Sequence, residues 1–195
     1  LQTGNLYGND TKDISSDGTN ILNREIVNML KIMTKEEANI SNSSWDEYVS
    51  QANNGTLFHQ YKFLSYHPED RYKKVSLVFK KRDSIVSLNT FASIERGERI
   101  FLSSFPGSSW GGFVHKSPLT YKQAEEIVAL TINYAKNTCV GLEITLPPSI
   151  YQETPNDNLI FCMIKKGFAY KKRELTSVID LRKGDIRFNR SVRKG

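Results

Sequence analysis

Residues 75–102 read VSLVFKKRDSIVSLNTFASIERGERIFL, and the period of this stretch decides the fold. Val75 to Phe79, Ile85 to Phe91 and Arg99 to Leu102 are rich in β-branched and apolar residues and are separated by charged or turn segments. Such a pattern describes an antiparallel meander, with Lys80 to Asp83 as its first turn. Directly after it, residues 105–112 read Phe-Pro-Gly-Ser-Ser-Trp-Gly-Gly, which suits neither a strand nor a helix interior.

Helical signals lie on both sides of the meander. Toward the C-terminus, Thr120 and Gln123 can form a capping box for a helix over Tyr121 to Lys136, with Ala124, Ile127, Val128, Thr131 and Ala135 on its inner face. Val140 to Leu146 reads as a strand ended by Pro147 and Pro148. Asn156 or Asn158 can open a helix through Lys166, with Leu159, Cys162 and Met163 inward and Gly167 as C-cap. Phe168 to Tyr170 and Leu175 to Leu181 supply the last strands.

Toward the N-terminus, Ser44 and Glu47 read as a capping box for a helix whose inner face is Trp45, Tyr48, Val49 and Ala52, and Asn53, Asn54 and Gly55 stop it. A short helix over Leu57 to Ser65 docks Phe58, Tyr61 and Leu64 before Pro68 breaks the run. Ile21 to Ile32 carries apolar residues at helical intervals, with Asn20 as cap, and residues 1–20 read as a flexible lead-in. The expected fold is thus an α/β or α+β three-layer domain over residues 21–185, with a mixed, largely antiparallel sheet flanked by helices and a basic tail at 186–195.

A chain of 195 residues with 38% hydrophobic and 25% charged residues fits one globular domain that needs no disulfide or metal staple. Cys139 and Cys162 therefore read as buried thiols in a reducing compartment, and with His59, His67 and His115 they never fall at zinc-site spacing, so no metal is expected. No apolar run reaches membrane-span length and no signal-peptide layout is present, so a soluble, cytoplasmic protein is expected; opening on Leu1 reads as a processed or excised chain. The net charge of +6 is concentrated at the end, where residues 165–195 carry eleven basic and three acidic side chains. Such a cluster attracts phosphates, nucleic acid or anionic surfaces, unless it is simply a solvated strand and tail.

Several residues carry chemistry worth weighing. Pro106 to Gly112 is either a structural turn with Trp110 packed into the core or a loop whose backbone N–H groups, with Ser108 and Ser109, contact a substrate. It lacks the lysine of a P-loop and forms no dinucleotide fingerprint. His59 can be a general base or a packed residue donating one bond, and Glu143 in its apolar strand must face solvent, pair, or line a cleft. Tyr61, Phe63, Tyr66 and Tyr72 beside Arg71, Lys73 and Lys74 can stack a nucleotide base or pack a helix face.

The chain resembles the Fem-type peptidyltransferases of the GNAT superfamily, which build peptidoglycan cross-bridges or acylate cell-surface precursors. The resemblance rests on Trp45-Asp46-Glu47-Tyr48-Val49, Asn54-Gly55-Thr56-Leu57-Phe58-His59, Phe63-Leu64-Ser65-Tyr66-His67-Pro68, Pro106 to Gly112, Tyr151, Gly167-Phe168 and Ile179-Asp180-Leu181. It spans residues 45–185 and covers only the first, acceptor-binding GNAT-like half of such enzymes. It implies an N-acyltransferase domain of cell-wall biogenesis, with an acyl-thioester such as acyl-coenzyme A, or an aminoacyl-tRNA, as donor and a nucleotide-sugar or muropeptide-like acceptor. A homodimer or a missing second GNAT-like half would complete the cleft. Ser109, Trp110, Gly111, Gly112, Tyr66 and Tyr151 are the implied substrate-binding residues, and His59 the candidate proton acceptor. Two other readings stand beside it: a non-catalytic ligand- or protein-binding module that keeps half of the two-domain enzyme, and a basic nucleic-acid-binding domain.

Overall fold

The computed structural model describes residues 29–68 and 71–175. The meander forms as its sequence period requires: β2 (Lys73–Lys81), β3 (Ser84–Arg96) and β4 (Arg99–Ser104) pair antiparallel in order. β1 (Leu30–Thr34) adds antiparallel to β2, and β5 (Gly141–Glu143) adds parallel to β4, giving a five-stranded mixed sheet in the order β1-β2-β3-β4-β5. The turn between β2 and β3 tightens to Arg82 and Asp83, with Arg82 at φ 54°.

Helices cover both faces of the sheet. Leu77, Phe79, Phe91 and Leu102 point to one side and meet α3 (Tyr121–Thr138) and α4 (Asn158–Lys165) through Ala124, Ile127, Val128, Leu159, Cys162 and Met163. Val78 and Leu88 point to the other and meet α1 (Asn42–Ser50) through Trp45, Tyr48 and Val49. Alternation along each strand thus builds two cores, one per face. The Thr120–Gln123 capping box and the inner face expected for α3 are both present. Cys139 and Cys162 are free, the first half-buried and the second buried.

The structure departs from the sequence expectations at several points. Leu30 to Ile32, expected as the end of a helix over Ile21 to Ile32, belong instead to the strand Leu30–Thr34. Its extended backbone supplies hydrogen bonds to the outer edge of β2, a tertiary demand that local periodicity does not register; residues 21–28 lie outside the described residues. The α1 cap is Ser41, whose hydroxyl accepts from the Ser44 N–H, so the helix opens before the expected Ser44–Glu47 box. The expected helix over Leu57 to Ser65 divides into a 3-10 turn (Leu57–His59) and a four-residue helix α2 (Tyr61–Leu64), because Gln60 is extended at ψ 137°. Asp46 holds the second piece by accepting from the Tyr61 and Lys62 N–H groups.

The expected strand Val140 to Leu146 keeps only Gly141–Glu143, because beyond it the Thr145 N–H turns to Ser104 Oγ and the Thr145 carbonyl takes the Gly111 N–H. Phe168 to Tyr170 is not a strand. Gly167, at φ 94°, closes α4 with its N–H on the Ile164 carbonyl and the Phe168 N–H on the Met163 carbonyl, a Schellman cap that consumes the Phe168 amide. Of the last expected strand, Leu175 is exposed and lies in no strand, while 176–181 fall outside the described residues, as do the 1–20 lead-in and the 186–195 tail.

Candidate functional site

The glycine–serine segment is an excursion out of β4. The chain leaves the sheet at Ser104 and returns at Val114, which exchanges both backbone hydrogen bonds with Leu88 at 2.9 and 2.8 Å. Along an antiparallel strand, residues that bond to a given neighbour alternate with residues that do not. Thr90, two positions from Leu88, therefore aims its backbone N–H and C=O at the same side, opposite Phe105 in the register that pairs Phe91 with Ser104.

Four different segments fasten the excursion. At its start the His67 Nε2–H donates to the Pro106 carbonyl at 2.8 Å, and Gly107, at φ 82°, lies so close that a Cβ there would stand 2.8 Å from His67 Nε2. Next, the Ser108 N–H closes a turn onto the Phe105 carbonyl at 3.1 Å. Trp110 is half-buried; its indole N–H donates to Thr56 Oγ1 at 3.0 Å, and its ring packs edge-on against Phe58 (4.8 Å between centroids) and tilted against Tyr151 (4.7 Å, 36°). At its end the Gly111 N–H reaches the Thr145 carbonyl at 2.8 Å. The Gly111 and Ser108 amides are thus committed inside the protein, and Ser109 stands exposed between them.

His59 lies behind Trp110 and is only 6% exposed. Its Nδ1 accepts the Thr56 N–H at 3.2 Å and lies 2.9 Å from Thr56 Oγ1, whose lone pair already takes the Trp110 N–H and whose proton is therefore free for Nδ1. Nδ1 is thus bare and the ring proton is assigned to Nε2. Burial pushes the His59 pKa down to about 4, partly offset by the Gly111 backbone, yet Nε2 has no partner of hydrogen-bond geometry. At neutral pH the ring is an uncharged donor whose one basic nitrogen is occupied. Beside it lies a cavity of about 10 Å³, lined by His59, Thr90, Trp110, Gly111 and Gly112 among others.

Of the sequence candidates, the structure brings together Trp110, Tyr151, Gly111, Gly112 and His59. Tyr66, 85% exposed, stands instead beside His67 at the Pro106 end. The aromatic and cationic residues around it are largely one another's partners: Arg71 lies over Tyr72, Lys74 over Phe105, and Tyr72 packs on both His67 and Phe105. Glu143 pairs, accepting from both Arg96 terminal nitrogens at 3.0 and 3.1 Å and from Lys171 at 2.9 Å, which holds its carboxyl at about 2.

Sequence reasoning passed over three residues that shape this region. Thr56 couples Trp110 to His59. Thr90 stands opposite Phe105, where the chain leaves the sheet. Asn54, read only as a helix stop, donates to the Phe113 carbonyl at 2.7 Å and accepts from the His115 N–H at 2.9 Å, so it fixes the return of the excursion. The signal available was the adjacent pair Asn53-Asn54, whose side chains can each donate and accept; Asn53 does the same for Thr154.

Among the described residues, no group of three or more His, Cys, Asp or Glu is placed to hold a metal ion, and no helix is long and apolar enough to cross a membrane. No family model matches the chain and no curated protein matches it. Two crystal structures of the Thermus thermophilus protein TTHA1254 are similar at 10% identity: a point mutant with a TM-score of 0.45, covering 76% of this chain and 96% of that one, and the wild type at 0.43, covering 77% and 97%.

Proposed function

We propose that the chain is a GNAT-like binding module that resembles the acceptor side of a Fem-type N-acyltransferase and places a ligand on the aromatic surface formed by Trp110 and Tyr151. The mixed sheet flanked by helices is the architecture that this resemblance implies. The single observation carrying the binding role is the pairing of a half-buried Trp110 with an exposed Tyr151 across the mouth of the excursion, with exposed Ile150 next to Tyr151 in sequence and exposed Leu57 between Thr56 and Phe58, the partners of Trp110. Rings fixed in this way offer a face to a sugar, a base or an acyl-peptide at little entropic cost. A nucleotide-sugar or muropeptide-like acceptor has such faces.

The same geometry argues for placement rather than bond making. A proton acceptor must present a free basic atom to the attacking amine, whereas the one histidine behind the aromatic pair is sealed, neutral and engaged at Nδ1. Two loop amides are likewise spent on internal carbonyls, which removes them from an oxyanion-binding role. Acyl transfer from acyl-coenzyme A or aminoacyl-tRNA would then draw its chemistry from another domain or a second copy.

The test is titration of the chain with a nucleotide-linked muropeptide, acyl-coenzyme A and aminoacyl-tRNA, read by tryptophan fluorescence and by product analysis. Saturable binding of the muropeptide alone, weakened at least tenfold in Trp110→Ala and Tyr151→Ala, is expected, with no transferred acyl group. Transfer by the isolated chain would restore the acyltransferase reading. Binding of none of the three would remove both.

A further inference from the structure

We propose that the outer face of α4, together with Tyr121, docks on an anionic lipid surface, with Phe161 and Ile164 entering the edge of the hydrocarbon and Lys165 and Lys166 meeting the headgroups. None of these residues belongs to the Trp110–Tyr151 surface, so the inference stands apart from the acceptor reading. It starts from the composition of α4, Asn158–Lys165, in which Leu159 to Ile164 are apolar without interruption. A helix that packs on one core needs a single apolar stripe, and one that is apolar all round is normally covered all round. Here Leu159, Cys162 and Met163 fill the core beneath the helix, whereas Phe161 is 58% and Ile164 50% exposed. Three positions apart, these two share one helix face. Phe161 also packs against the exposed Tyr121, at 6.1 Å between ring centroids, so the apolar patch continues onto the start of α3.

Cations in excess border this patch. Lys165 Nζ donates to the Tyr121 hydroxyl at 2.7 Å, and Glu125 Oε1 stands 3.7 Å from Lys165 and 3.9 Å from Lys166. One carboxylate therefore serves two ammonium groups. The same holds where the chain continues: Glu143 is shared by Lys171 and Arg96, while Arg173 lies over the exposed ring of Tyr170. From Ile164 to Leu175 every residue except Phe168 is exposed. The patch thus opens the basic end of the sequence, where residues 165–195 carry eleven basic and three acidic side chains.

Charge and apolar surface together select the occupant. A second copy of the chain would bring the same surplus of cations against this one, and like charges facing each other oppose association. Nucleic acid would neutralise the lysines but offers no hydrocarbon to Ile164. An anionic bilayer supplies both, with phosphates at the level of the ammonium groups and acyl chains beneath. Lysine stems lie along apolar surface while their heads stay in water, and a tyrosine beside them has an apolar ring and a polar tip suited to the same boundary. The helix rests on such a surface and does not cross it, because its eight residues extend about 12 Å against a hydrocarbon core of about 30 Å. Neither a small apolar patch nor a few cations holds a protein on a membrane alone, and the two signals reinforce each other.

The experiment sediments the full chain with vesicles of phosphatidylcholine alone and of phosphatidylcholine mixed with phosphatidylglycerol. Binding to the mixed vesicles only, weakening as salt is added, is expected. Replacing Phe161 and Ile164 together by Ser leaves every charge in place and should weaken that binding about tenfold or more. Lys165→Gln and Lys166→Gln should each weaken it about fivefold. In Phe161→Trp the added indole should shift to the blue on the mixed vesicles and be quenched by brominated acyl chains more strongly than the tryptophans of the wild type. Absence of binding to the mixed vesicles, binding untouched by the double Ser variant, or no added quenching would each overturn the proposal. So would a wild-type dimer that the double Ser variant disperses, which would give the face to a second copy, or a short RNA that competes with the vesicles and is itself lost in that variant. Phe161→Trp keeps an aromatic ring at its position, so it carries the test even where the double Ser variant fails to fold.

Discussion

Lowering the pH should destabilise this chain well before its carboxylates protonate, and His59 is the main reason. In the unfolded chain the imidazole titrates at its ordinary 6.5; folded, burial holds it at about 4. Between those values the unfolded state binds a proton that the folded state refuses, so stability is complete above 6.5 and falls as pH drops toward 4. At about 1.4 kcal/mol per pH unit, that interval removes about 3 kcal/mol, a large share of the 5–15 kcal/mol typical of a domain. Protonation would also have to displace the Thr56 N–H from Nδ1, which disconnects Trp110. His115, whose Nδ1–H donates to the Ser117 carbonyl, is shifted in the same direction by burial and adds a smaller slope. Urea melts followed by the fluorescence of Trp45 and Trp110 at neutral pH and at about pH 4.5 should show the wild-type midpoint fall steeply. His59→Asn should start lower and fall much less. An equal slope in the two proteins, or a flat wild-type profile, would refute the assignment of the buried neutral ring.

Three further outcomes follow from the contacts. Asn54→Ala strands the Phe113 carbonyl and the His115 N–H, both buried, and should cost about 3 kcal/mol in the same melts. Trp110→Ala removes a half-buried ring and its bond to Thr56; it should cost about 2 kcal/mol and leave the amides of α3 as slow to exchange as before, since that helix packs on the opposite face. Glu143→Gln releases the Arg96 fork and Lys171 at a partly exposed site and should cost under about 1 kcal/mol, with the loss shrinking at high salt. In the wild type that carboxylate's contribution is present above the ordinary 4.5 and disappears as pH falls toward about 2, so it meets the histidine window only in its last half unit, between about 4 and 4.5.

The parts of the fold legible in the sequence are those fixed by contacts within one element. Helix α3 declares itself because the capping pair and the inner face lie within its own span, and the meander because each strand alternates against its immediate neighbour. What escaped depends on partners far along the chain. Leu30 to Thr34 is extended because β2 offers an open edge some forty residues later, and Phe168 is not, because the Schellman cap claims its amide first. The site divides in the same way. Glycines and serines near a tryptophan mark an irregular loop, but nothing local says that Thr56 will hold Trp110, or that Asn54 will hold the return to Val114. Tyr66 was grouped with Tyr151 by a family pattern, whereas in space the two stand at different ends of the excursion.

The excursion is better understood as a fixed projection than as a lid. A lid needs ends that can swing and a middle with few commitments. Here the anchors come from the segment after α2 (His67), the 3-10 turn Leu57–His59 with its cap (Phe58 and Thr56), the segment after β5 (Thr145) and a second 3-10 turn, Ser149–Tyr151 (Tyr151), so moving the excursion means breaking contacts to four separate segments. The chain leaves β4 after Ser104 and rejoins the sheet only at Val114, and what the molecule gains is an indole held at a set height above the sheet. Preorganisation of this kind strengthens binding by sparing the ordering of side chains when a ligand arrives. It follows that ligand affinity should respond to the shape and stacking of the Trp110–Tyr151 pair far more than to the loop's charge, and should change little with ionic strength. A steep salt dependence would instead direct attention to the basic end of the chain and away from this surface.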